Sequence, residues 1–158
     1  MVRKLTLVFI VVLGVVAIPG LSAQGATTTP PLRRVDGLLD RSLKELRAAE
    51  QFADQRHLGR IDRSTDQAIR LARAAEQTVD RALAMVRRAG SQKLTRAQGE
   101  QIEQLITQAQ RQLRQAEAMI DHAAQQSEDH KRLREMLARI DRQVDEALKL
   151  LRQAVAGL

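Results

Sequence analysis

The sequence predicts an all-α fold, an elongated up-down-up-down four-helix bundle with heptad-like seams behind an N-terminal signal peptide. Three observations lead there. Apolar residues recur at alternating steps of four and three through four successive segments. Ala, Leu, Arg, Gln and Glu dominate, with only three prolines and eight glycines in 158 residues, which favours helix over strand. The only aromatic residues are Phe9 and Phe52, so the core has to be aliphatic.

The chain opens with Met1-Val2-Arg3-Lys4, a positive stretch, followed by a mostly apolar run from Leu5 to Ile18. Pro19-Gly20 breaks the run, and Leu21-Ser22-Ala23 offers a small-residue cleavage site before Gln24. This order is that of a secretory signal peptide over residues 1–23. The run is shorter than the roughly 20 residues of a membrane-spanning helix, and if it is not cleaved it becomes an N-terminal anchor. Both outcomes place the body outside the cytoplasm, periplasmic or secreted. Residues 24–34, QGATTTPPLRR, hold three threonines and two prolines without periodicity and read as an extended linker.

The helical bundle domain spans residues 35–158. Its first seam runs Val35, Leu39, Ser42, Leu46, Ala49, Ala53 and its second Ala68, Ala72, Ala75, Val79, Ala82, Val86, Ala89. The third runs Ile102, Ile106, Ala109, Leu113, Ala116, Ile120, Ala123, and the fourth Leu133, Leu137, Ile140, Val144, Ala147, Leu151, Ala154. Further apolar residues beside the seams, Leu38, Leu43, Ile69, Leu83, Leu105, Met119, Met136, Leu148 and Val155, widen each stripe to the breadth of a bundle helix. The Ala-rich second segment admits a close neighbour, and the fourth supplies the bulk.

Breaks separate the segments. His57-Leu58-Gly59-Arg60 precedes two capping candidates, Asp62 and Ser64. Gly90 is read as ending the second helix, and Thr95 with Gln98 as starting the third through a capping box, in which each side chain bonds the other's backbone amide. Between the third and fourth segments there is neither Gly nor Pro, but the apolar set restarts in a shifted phase at Leu133, so a turn falls near Gln125 to Ser127. A phase-shifted continuous helix is the alternative there. Ser127 stands at the cap position, with Glu128 and Asp129 in the first turn where the helix dipole favours them.

The pattern Leu46-Arg47-x-Ala49-Glu50-x-x-Ala53-Asp54 recurs from Ala72 to Asp80 and from Leu113 to Asp121 at unequal intervals. Unequal spacing excludes a solenoid, and the pattern reads as Arg-to-Glu i,i+3 pairs flanking each seam.

The net charge is +7; Arg3 and Lys4 belong to the leader, which leaves +5 for the remainder. Such a surface fits an anionic envelope surface. Nucleic acid is not expected, because aromatic stacking platforms are missing. The absence of cysteine excludes disulfides, thiolate metal sites and thiol nucleophiles. The candidate metal ligands are His122, Asp129 and His130, near Asp121 and Glu128, but no His pair has the i,i+4 spacing that aims two imidazoles at one ion. No cofactor is expected. The serines fall at caps and turns and the helical carboxylates on charged faces, so no catalytic constellation is read and the protein is not expected to be an enzyme.

Leu94-Thr95-Arg96-Ala97-Gln98, followed by Glu100-Gln101-Ile102, resembles the LTxxQ motif of the Spy and CpxP family of small, exported, all-helical bacterial proteins. The chain carries one copy, with Leu94, Thr95 and Gln98 as the motif residues. The resemblance implies a cradle-shaped dimer acting as an ATP-independent periplasmic chaperone, or a relative that senses envelope stress or metals. The expected function is therefore that of an exported, non-enzymatic bundle acting by protein or envelope-surface binding. Its partners are a protein, an unfolded client or a second copy in a homodimer, and periplasmic metal binding is the alternative.

Overall fold

The computed structural model describes residues 30–158; the expected signal peptide over residues 1–23 and residues 24–29 of the expected linker lie outside them. Among the described residues the fold is all-α. The helices are α1 (Pro30–Gln55), a short α2 (Leu58–Ile61), α3 (Arg63–Ser91), α4 (Arg96–Ala124) and α5 (Glu128–Ala156). The long helices have 26 or 29 residues, about 39–44 Å at 1.5 Å per residue.

The long helices pack together as a helical bundle in which α1 and α4 each lie against both α3 and α5. Cross-helix pairs show the directions. Arg87 meets Asp36 and Asp40 while Arg47 meets Glu76, so α1 and α3 run antiparallel. Glu103 with Arg152 and Asp121 with Arg134 set α4 antiparallel to α5. Arg34 with Glu146 and Glu45 with Arg139 do the same for α1 and α5.

The core follows from the 3.6-residue period. Every residue of the first two seams is buried, as are those of the third through Ile120 and of the fourth through Leu151. Ala123 and Ala154 are half-buried, since each closes its seam within the last turn, where a helix emerges from between its neighbours. Buried Ser42 lies 2.8 Å from the Leu38 carbonyl and 3.3 Å from Gln143 Oε1, so its hydroxyl has acceptors inside the helix and across to α5.

Several expected boundaries move. The helix starts at Pro30, so residues 30–34 of the expected linker are the first turn of α1. Proline lacks an amide proton, but the first-turn amides of a helix have no intrahelical acceptor, so Pro30 and Pro31 cost little there. Leu32, 2% exposed, extends the seam inward. Gly90 does not end the second helix, which continues to Ser91, where the Ser91 hydroxyl donates to the Arg88 carbonyl at 2.9 Å. His57 turns the chain with a left-handed φ of 53° into α2. Asp62 then caps α3, accepting from the Ser64 amide at 3.1 Å.

The capping box at the start of α4 forms as read. The Gln98 amide donates to Thr95 Oγ1 at 3.2 Å and the Thr95 amide to Gln98 Oε1 at 3.0 Å. Thr95→Ala is expected to cost about 1 kcal/mol, measured by urea unfolding, while Thr95→Ser costs only a few tenths. One turn on, Gly99 allows a close approach: a Cβ there would run into the Val155 side chain, because α4 starts against the end of α5. The chain does turn between Ala124 and Glu128, and Ser127 occupies the cap position, but its side chain makes no capping hydrogen bond.

Candidate functional site

The structure separates the sequence-derived metal candidates. His122 is exposed, its Nε2 3.5 Å from Gln126 Nε2, and neighbouring Asp121 is taken by Arg134 at 2.6 Å. His130 is only 3% exposed, with no hydrogen-bond partner for either ring nitrogen. Asp129, half-buried, stands one residue before it in the first turn of α5. Among the described residues no group of three or more His, Cys, Asp and Glu is placed to hold a metal ion. Side chains one residue apart on a helix diverge by about 100°, so adjacency in sequence does not gather them. The motif residues Thr95 and Gln98 are engaged in the capping box, and Leu94 lines an apolar groove with Leu32 and Leu158.

The recurrent Arg-Glu pattern works between helices and not within them. Arg47 Nε reaches Glu76 Oε1 at 2.9 Å, and Arg73 Nε approaches Glu50 Oε2 at 3.8 Å while its Nη2 binds Asp54 at 3.3 Å. Two antiparallel copies thus exchange partners. The third copy, on α4, pairs with α5, Arg114 to Asp141 at 3.5 Å and Asp121 to Arg134.

These seams enclose carboxyl groups short of donors. Glu50 Oε1, Glu117 Oε1 and Asp141 Oδ1 are buried without a hydrogen-bond partner. Burial, a hydrogen bond shared with Glu76 and the charge of Glu76 push Glu50 up to about 7. Burial also works upward on Glu76, but hydrogen bonds from Arg47 and Glu50 outweigh it and hold Glu76 below its ordinary range. The two titrate as a pair, and as pH falls Glu50 takes up a shared proton before Glu76 does. Burial raises Glu117 as well, aided by the charge of Asp141, and burial likewise raises Asp141.

Beside Glu50 lies a void of about 10 Å³ among Ala53, Ala68, Ala72 and Leu137, room for about one water.

The α3/α4 face differs from the other seams. Ion pairs join α1 to α3, α4 to α5 and α1 to α5, whereas among the described residues none joins α3 to α4. A second stripe recurs at steps of three and four on α3, Leu71, Ala74, Thr78, Arg81 and Met85, and another on α4, Gln101, Leu105, Gln108, Gln112, Gln115 and Met119; Thr78 meets Gln112, and Leu71 shares a groove with Gln115 and Met119. Thr78 Oγ1 lies 3.0 Å from Gln112 Oε1 and 2.9 Å from the Ala74 carbonyl. Leu71 and Met119 share an open groove of about 520 Å³, and the antiparallel register sets Met85 opposite Leu105. Arg81 is the one charged residue in these two stripes. Leu71, Met85 and Leu105 are half-buried and Met119 is 37% exposed.

Compared with known proteins, the chain matches no family model, no curated protein and no solved structure.

Sequence reasoning counted Leu105 and Met119 as flanks of the third seam and passed over Leu71 and Met85. A signal for the face was present. Both helices carry this second stripe at steps of three and four, and both stripes are nearly free of charge in a chain that is 28% charged. Chemically, such a face offers half-exposed thioether and aliphatic surface among neutral amides. It suits contact with apolar or polar protein surface, with only Arg70 and Arg81 to strip of water or leave at the rim.

Proposed function

We propose that this chain is an exported, non-enzymatic protein, an up-down-up-down bundle of four long helices that works by binding protein through its α3/α4 face. The observation that carries the reading is that among the described residues no ion pair crosses that seam, while ion pairs cross the other three. The other three seams tie their flanking charges to each other, and this one leaves Leu71 and Met119 open beside Gln67, Gln115 and Ala118, with Arg70, paired to Asp66 of its own helix, the one charged residue of the groove. Residues 1–23 supply the export signal in this reading. The stretch Leu94 to Gln98, which resembles the LTxxQ motif, starts the helix that forms half the face. This favours an unfolded client as the bound protein, since methionine and leucine adapt to irregular apolar segments.

A light-scattering assay tests the proposal. The chain at equal molar ratio is expected to slow the aggregation of a reduced, unfolding client protein. Leu71→Glu combined with Met119→Glu is expected to abolish the protection, and Ala48→Glu with Gln51→Glu, the same charge change on exposed positions of α1, to leave it intact. Absence of protection by the unmodified chain, or equal loss in both double variants, would overturn it.

A further inference from the structure

The two ends of the bundle differ in chemistry. At one end the chain enters at Pro30, α3 turns into α4, and α5 finishes. An apolar groove of about 470 Å³ opens there, with Leu32, Leu94, Ala154 and Leu158 in its walls. Leu158 is 58% exposed. Lys93 stands in the same wall, and Arg33 and Arg88 lie on the end turns of α1 and α3 at this end of the bundle, outside the groove itself. All three cations are exposed, and none has an acidic side chain within ion-pairing distance among the described residues. The opposite end also has an exposed apolar residue, Ile61, and exposed cations, Arg60, Arg63 and Lys131. There, however, the acids Asp54 and Asp66 line the groove, and the helices start on acids, Asp62 before α3 and Glu128 with Asp129 in α5.

We propose that the Pro30 end of the bundle is a docking surface for an anionic lipid bilayer, with Leu158 and the groove facing the acyl boundary and Arg33, Arg88 and Lys93 on the headgroup phosphates. Cations around an exposed apolar spot match the layering of a bilayer surface, charge outside and hydrocarbon beneath. Nucleic acid fits less well, because Phe52, the one phenylalanine among the described residues, packs under Arg56 and Arg132 near the other end, and the end at Pro30 offers no aromatic platform for a base. The apolar run Leu5 to Ile18 joins the bundle at this end through residues 19–29, so an anchored or freshly exported chain presents this face to the membrane first. In that respect the proposal rests on the envelope placement above, while the surface itself is independent of the α3/α4 face.

The chain has no tryptophan, so a single introduced one reports its own surroundings. With phosphatidylglycerol-containing vesicles the emission of Leu158→Trp is expected to shift to the blue, and that of Ile61→Trp, exposed at the opposite end, to stay unchanged. Phosphatidylcholine vesicles measure whatever the apolar N-terminal run binds alone, so that a failure of the tip and a failure of the leader reading are told apart. Combined Arg33→Ala, Arg88→Ala and Lys93→Ala is expected to weaken binding to the anionic vesicles about tenfold or more. Arg60→Ala, Arg63→Ala and Lys131→Ala, from the other end, should leave it unchanged. Equal binding to both lipids, a shift at position 61 in place of 158, or an equal shift of Leu158→Trp with a duplex oligonucleotide would each overturn the proposal.

Discussion

Leu137→Ala is expected to destabilise the bundle by about 4–5 kcal/mol, near the top of the range for buried leucine truncations. Leu137 is 1% exposed, in the middle of the helix that brings the largest side chains to the core. Its neighbours on α3, Ala68 and Ala72, are too small to close over the gap, and a void of about 10 Å³ already lies beside it. The new cavity merges with the old one, and cost grows with residual cavity volume. Leu148→Ala, at a position 4% exposed and not among the residues lining that void, should cost about 2–3 kcal/mol. Urea denaturation of both variants checks the order; equal costs would mean that the Ala-rich α3 collapses onto α5.

The second large effect is on pH dependence. Glu50, ordinarily near 4.5, is pushed up to about 7 in the folded chain, so between those values the folded state binds a proton that the unfolded state has lost. Stability therefore rises as pH falls from about 8 towards 5. Glu117 and Asp141, also raised, act in the same direction. Glu76, Asp40 and Asp145 are lowered; their contribution is present above their unfolded values and is lost only in more acid solution, as pH falls through the folded ones. The combined profile should peak near pH 5. Glu50→Gln keeps a donor towards Glu76 without the charge, so it is expected to stabilise the protein at pH 8 by about 1–2 kcal/mol after allowance for solvent at this rim position, and by little at pH 5. Calorimetric melting at both pH values checks the sign. A flat profile from pH 5 to 8, or a less stable Glu50→Gln at pH 8, would place the shared proton elsewhere.

The core was legible because burial on a helix repeats with the backbone's own period, and the seam residues from Val35 to Leu151 needed no knowledge of their partners. Caps were legible for the same reason: the box at Thr95 and Gln98 closes within four residues. What depends on a neighbour was not. Arg47 and Glu50 sit three apart on one face, and nothing local says that Arg47 binds Glu76 while Glu50 turns to Arg73. Threonine and proline before Leu32 suggested a tether, yet tertiary burial of Leu32 draws the first turn into the helix. His130 read as a turn residue free to bind an ion, and packing against the neighbouring helices buries it. Of the α3/α4 face, each stripe is visible in the sequence, but that they face each other follows from the fold.

If the protein works by contact, charge placement is its main device. Three seams use their charges to hold the helices together, and the α3/α4 seam leaves adaptable, mostly uncharged side chains facing outward, with Arg70 and Arg81 its only cations among the stripe and groove residues. The most direct measurement places a photoreactive benzophenone amino acid at position 119, on this face, or at position 48 on α1, and irradiates each with an unfolding client. Adducts at position 119 and none at position 48 are the expected result. Adducts as strong at 48 as at 119, or none at 119, would contradict it.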